Sequence, residues 1–171
     1  AIKRGYNYRK IWGWTPESDP LEQWIVSLTM HEVGHTIGLR HNFSASYLWG
    51  PKEVHDISIT GDSTIASIMD YDPINIAPEG VEQGNYFPTE PGFYDVWAIV
   101  FGYTPEMSEQ ERENLLSEST KPELIFGTDD DVMGSPGRNT DPRNKRYDMS
   151  NDPITYTVQR IETIDKKIGE L

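Results

Sequence analysis

The eleven residues HEVGHTIGLRH, positions 31–41, hold three of the chain's four histidines and set a glutamate directly after the first. On an α-helix each residue advances about 1.5 Å and 100°, so His31 and His35 lie one turn apart on one face and their imidazoles converge on a common point. Two imidazoles so placed make a clamp for a metal ion. His41 would lie roughly 9 Å beyond His35 on a continuing helix, out of reach of the same ion. The helix must therefore stop between them. Gly38 is placed to stop it, because glycine takes left-handed backbone angles at little cost and lets the chain turn back under the clamp.

The chain has no cysteine, which excludes disulfides and thiolate ligands and leaves imidazole and oxygen to hold any zinc. Zinc in a hydrolytic site takes three protein ligands and keeps a fourth position for water, whose pKa falls to about 7 on binding. His31, His35 and His41 supply the three. Glu32 follows His31 by about 100° of helix rotation, so its carboxylate can flank the metal and reach that water without being a ligand. This places Glu32 as the general base, which afterwards passes its proton to the leaving nitrogen of a cleaved amide. A bare HExxH occurs on ordinary solvated helix faces, but such a face gives no reason for a helix-stopping glycine followed by a third histidine. Two other readings stay open: a non-catalytic binding module stabilised by zinc, and a metal hydrolase acting on a non-peptide amide. Glu32 speaks against the first, since a purely structural site is closed by a fourth protein ligand and has no use for a carboxylate beside an open position.

The elements that must position these residues are legible in outline. SDPLEQWIVSLTMHEVGHTIG offers Asp19 as N-cap, Pro20 at the first helical position and Glu22 to close a capping box, predicting a helix over about 20–38. Trp24, Ile25 and Leu28 would form its buried stripe and leave His31, Glu32 and His35 facing a cleft. From Asn42 to Ser67 the chain reads mostly as loop, with turn signals at Gly50-Pro51 and Gly61-Asp62. GFYDVWAIVFGY reads as a buried helix ending near Gly102, because its apolar residues fall all round the wheel, with a short strand as the alternative. Ser108 and Glu111 form a second capping box before a solvated helix. Residues 127–151, rich in Asp, Asn, Pro and Gly, predict a long loop. Asp152-Pro153 then opens a helix of about fifteen residues, with Val158, Ile161, Ile164 and Ile168 at helical spacing.

These residues resemble a known family. HEVGHTIGLRH matches the HExxHxxGxxH signature of the metzincin zinc endopeptidases, and SIMDY, residues 67–71, resembles their Met-turn. The resemblance gives Met69 the role of a hydrophobic base beneath the zinc and likens GFYDVWAIVFGY to the helix that follows the turn. Some metzincins carry a tyrosine two residues after that methionine, with its hydroxyl near the metal. Tyr71 stands there, and it is either such a group or a buried tyrosine whose hydroxyl caps a loop. The continuation HNFSAS is similar to that of large, exported bacterial zinc-dependent metallopeptidases, which implies an extracellular or periplasmic setting and a protein or peptide substrate. The likeness covers residues 20–103 and is weaker beyond.

Two departures qualify it. Metzincins carry an N-terminal subdomain with a twisted sheet, whereas thirty residues precede His31, so most of that sheet is expected to be absent and the remainder of a full-length chain to pack against this piece. GYNYRKIWGW would be either a remnant strand or, the favoured reading, aromatic packing. Asp70, between Met69 and Tyr71, occupies a position that varies among the families. The expected architecture is mainly α with long loops, the C-terminal portion of a metzincin-like catalytic domain. It divides into the zinc-binding helix and turn at 20–41, the Met-turn region and following helix at 42–103, and a helical extension at 104–171.

Composition bounds the rest. The 171 residues are 36% hydrophobic and 11% aromatic, enough for one folded domain. With 15 basic and 28 acidic residues the net charge is -13, which disfavours nucleic acid and anionic membrane surfaces as partners. No apolar run approaches the roughly 20 residues of a membrane span. The chain begins at AIKRGYNYRK without an initiator methionine or signal peptide, and reads as an excised or processed piece. His55, in a polar stretch, is expected to be solvent-exposed. Asp129, Asp130 and Asp131 lack the alternating ligands and glycine of a calcium loop. Arg138, Arg143, Lys145 and Arg146 read as a surface cluster neutralising nearby aspartates.

Overall fold

The computed structural model describes residues 19–132 and 141–169. GYNYRKIWGW and Arg138 lie outside them. The architecture is mainly helical with long connecting loops, and no strand occurs among the described residues. The helices are α1 (Pro20–Thr36), α2 (Ile57–Thr60), α3 (Phe93–Tyr103), α4 (Glu109–Ser117), α5 (Asp129–Val132) and α6 (Pro153–Gly169), interspersed with short 3-10 turns. Among the described residues no helix is long and apolar enough to cross a membrane.

The start and end of α1 follow the local chemistry of their residues. Asp19 caps the first turn, its carboxylate accepting from Leu21 N at 3.0 Å ahead of Pro20 at the first helical position. At the other end Gly38 takes φ +94°. Its N–H reaches His35 O at 3.1 Å and Leu39 N–H reaches Gly34 O at 3.0 Å, the paired bonds of a glycine-terminated helix. The helix ends two residues earlier than the pattern of apolar residues suggests, because Gly38 is the left-handed residue beyond the cap and not part of the last turn.

The face that α1 buries differs from the expected one. Trp24, Ile25 and Leu28 are 45%, 51% and 41% exposed, while Ser27, His31 and Gly34 point inward. Small and polar residues allow the closest approach of α1 to the turn beneath it, and Trp24 and Leu28 instead wall an open cleft. A similar correction applies to α3, in which Phe93, Val96 and Val100 are exposed and Asp95 is the buried residue. Its contacts explain this. Asp95 accepts from Ser67 Oγ at 2.5 Å, Ile68 N at 2.8 Å and Gly92 N at 2.8 Å, so α3 is anchored through polar bonds to the chain at 67–69. Burial alone raises the Asp95 pKa, and the three donors oppose that shift.

A small core of Val54, Ile65, Met149 and Tyr156, flanked by Trp49, ties α6 to the chain on both sides of α2. His55 belongs to this region and is buried at 3% exposure, with its ring stacked on Tyr156, centroids 6.0 Å apart. The expectation of a solvent-exposed histidine is thus overturned, because an aromatic neighbour a hundred positions away covers it. Desolvation first, and the nearby Arg160 charge second, lower its pKa to about 4, so the ring is neutral near pH 7. Helix α6 starts after Asp152, which accepts from Thr155 N, and runs two residues longer than expected. Its apolar residues Val158, Ile161, Ile164 and Ile168 are exposed. The expected capping box of α4 is present, with Ser108 and Glu111 bonded reciprocally.

Candidate metal centre

The three histidines meet. Nitrogens of His31, His35 and His41 all lie within 4.8 Å of one another, and the Nε2 atoms of His35 and His41 are 3.2 Å apart. The reversal at Gly38 produces this by returning the chain beneath α1 within five residues. Each ring is held through its other nitrogen. His31 Nδ1–H donates to Ile68 O at 2.7 Å, His35 Nδ1–H to Leu39 O at 3.0 Å, and His41 Nδ1–H to both carboxylate oxygens of Asp129 at 3.0 Å. An Nδ1–H committed to an acceptor leaves Nε2 as the lone-pair donor, which is the state a metal requires. Burial lowers the His31 pKa, partly offset by its bond to Ile68, and favours the same neutral form. Among the described residues this is the one group of three or more His, Cys, Asp or Glu placed to hold a metal ion.

Beneath the histidines the turn at 67–71 supplies a fixed floor. Met69 is 0% exposed and its sulfur lies against Gly34, which stands between His31 and His35 on α1. A Cβ at Gly34 would collide with Met69 Sδ, so the glycine inside HEVGH serves the approach of the turn to the helix. The turn is tied from three directions. Ile68 N bonds Asp95, Met69 N bonds Ser67 Oγ at 3.1 Å, and Met69 O accepts from Asn42 N at 3.0 Å. Gly34→Ala is expected to lower stability by about 1–3 kcal/mol, the usual cost of overpacking a tight contact. Thermal unfolding of the metal-free form measures it, and an unchanged melting temperature would show that Met69 can move aside freely.

Beside the histidines a cleft of about 200 Å³ is lined by Trp24, Leu28, His31, Glu32, Tyr71 and Phe87 among others. Glu32 and Tyr71 therefore share one cavity with a histidine of the triad. The Tyr71 ring lies 4.7 Å from that of His41 and 5.5 Å from that of His31, and stacks on Tyr147 at 6.0 Å. Desolvation, followed by the charge of Asp129, raises its phenol pKa and keeps the hydroxyl protonated.

A family model described as Met-zincin matches residues 17–171. The chain belongs to the Met-zincin family. No curated protein and no solved structure gives a match.

Several residues that support the site in this Met-zincin carry no signal in the sequence pattern. Asp129 is one, and it does not act with its neighbours as a calcium loop. Asp130 pairs with Arg40 at 3.3 Å and Asp131 accepts from Thr128 N at 2.8 Å, so the three carboxylates turn to three different partners. Asn42, fully buried, accepts from Gly127 N at 3.1 Å and donates to Ile125 O at 3.0 Å, joining the chain after His41 to the segment before Asp129. The polar character of HNFSAS is explained in this way, since Ser44 Oγ bonds Asn144 and Ser46 Oγ bonds Asp148. Asp70 is also buried, accepting from Ser46 N at 2.9 Å and Tyr71 N at 2.7 Å. Arg143 pairs with Asp141 on the surface, as the local charge pattern suggests.

Proposed function

We propose that this Met-zincin is a zinc-dependent endopeptidase, with His31, His35 and His41 as the metal ligands and Glu32 as the general base. The observation that carries the reading is the convergence of three ring nitrogens within 4.8 Å at the edge of an open cleft that Glu32 also lines. The donor set fits zinc: three imidazoles, each with Nδ1 turned to an oxygen and Nε2 left to face the metal, and no thiolate in the chain. Bound there, zinc supplies Lewis acidity, acidifying water and drawing charge from a carbonyl oxygen.

The chain's own residues do the rest. Glu32, on the helix turn next to His31 and outside the histidine group, accepts a proton from water and later delivers it to the leaving amine nitrogen. Tyr71 holds a protonated hydroxyl at the same cavity, where it donates a hydrogen bond to the carbonyl oxygen as charge develops on it. Trp24, Leu28 and Phe87 form apolar walls against which a peptide side chain packs and displaces water. Cleavage takes place outside the cytoplasm, in an extracellular or periplasmic setting, a reading that rests on the likeness of HNFSAS to exported metallopeptidases.

Elemental analysis of zinc-loaded full-length protein is expected to give one zinc per chain, and His41→Ala to weaken binding 10-fold or more. Much less than one equivalent, or full affinity in the variant, would overturn the ligand assignment.

A further inference from the structure

His31 and His35 stand on a helix and are steadied by carbonyl oxygens of nearby chain, but His41 stands beyond the helix, in a loop. Its orientation comes from elsewhere. The ring is packed between Phe43, at 5.1 Å, and Tyr71, at 4.7 Å, and its Nδ1 faces both oxygens of Asp129 at 3.0 Å. Asp129 lies 88 positions further along the chain and both side chains are largely shielded, at 16% and 31% exposure.

The carboxylate is itself held in place. Phe43 N donates to Gly127 O at 2.6 Å, and Asn42 bonds Gly127 N and Ile125 O through its side chain. The two residues just after His41 and the backbone just ahead of Asp129 are thus one bonded unit, and a shift of Asp129 relative to His41 would break several hydrogen bonds at once. Asp130 shares the segment and the charge but turns to Arg40, with both side chains more than half exposed. It provides an internal comparison, since a general effect of negative charge near the histidines would arise from either residue.

We propose that Asp129 is a positioning residue for the metal centre: it fixes the orientation and tautomer of His41 and strengthens Nε2 as a donor, so that residues 125–131 form part of the site. The inference rests on the zinc reading above. An outer carboxylate on a ligating histidine is worth about 10-fold to 100-fold in metal affinity when removed. Such a contact also selects the Nδ1–H form and restrains ring rotation, which a loop histidine would otherwise pay for on binding.

The test is competition of the full-length, metal-stripped protein against a chelator of known zinc affinity, with the visible spectrum of the cobalt-loaded form as a second readout. Asp129→Ala should weaken zinc binding roughly 10-fold to 100-fold and change the cobalt bands. Asp129→Asn retains an oxygen acceptor but not the charge, so it should recover part of the lost affinity. Asp130→Ala should leave affinity and spectrum close to the parent protein. Wild-type affinity and bands in Asp129→Ala, or equal losses in the Asp129 and Asp130 variants, would overturn the proposal. If Asp129→Ala fails to fold by thermal unfolding of the metal-free form, Asp129→Asn decides, and parent-like affinity and bands in it count against the role. Failure of the unsubstituted protein to bind zinc at all would instead sink the zinc reading, and this inference with it.

Discussion

Glu32→Gln in the full-length protein is expected to lower peptide hydrolysis on the order of 10²-fold or more while one zinc remains bound per chain. Glutamine preserves the length and shape of the side chain and loses only the ability to take a proton. The histidines that would hold the metal are fixed by Ile68, Leu39 and Asp129, none of which involves Glu32, so the ligand set has no reason to move. The magnitude follows from what a positioned base contributes to a proton transfer, and the measurement is the turnover of a fluorogenic peptide alongside zinc content. Loss of zinc from the variant would make Glu32 a ligand and reverse its assigned role. Full activity with zinc in place would move the base elsewhere in the cleft. If the unsubstituted protein binds zinc and cleaves no peptide, the endopeptidase reading falls, leaving a structural zinc site or a hydrolase of a non-peptide amide.

The metal group was legible because its geometry is written in local spacing. Two histidines one turn apart must share a helix face, and a third can join them only if the helix stops, so Gly38 and its positive φ were required by the motif itself. Met69 was reachable only through resemblance, since a buried methionine at one position says nothing of what lies above it. The expected faces of α1 and α3 failed for a related reason. Periodicity tells where an apolar stripe falls, but the faces these helices press against the turn at 67–69 carry His31, Gly34 and Asp95. Close backbone approach and hydrogen bonding decide that contact, and neither leaves a hydrophobic stripe.

Asp95, Asp129 and the burial of His55 depend on partners 27 or more positions away, and spacing along a chain carries no record of such pairs. The run of three aspartates is conspicuous in the sequence, though without the alternating ligands and glycine of a calcium loop. Its neighbours offered no clue that one carboxylate would face His41 and the next Arg40, because that division depends on how residues 125–128 are bonded to Asn42 and Phe43.

Tyr71→Phe is expected to lower kcat by roughly 10-fold to 10³-fold with little change in KM or melting temperature. The ring makes the packing contacts, against His31, His41, Phe43 and Tyr147, and phenylalanine preserves all of them. The hydroxyl is the only group removed. Its raised pKa means that it is a hydrogen-bond donor at neutral pH and not a phenolate, so any help it gives to a developing oxyanion is as a donor. Such help exists chiefly in the transition state, where the oxygen carries charge that the ground-state carbonyl lacks, and its loss therefore appears in kcat and not in substrate binding. A tyrosine serving only the fold would behave in the opposite way. Deleting its hydroxyl would strand a loop acceptor and lower the melting temperature, and kcat in the molecules that remain folded would be unchanged. Steady-state kinetics and a thermal melt on the same preparation separate the two, and a stable phenylalanine variant with parent-like kcat removes Tyr71 from the chemistry.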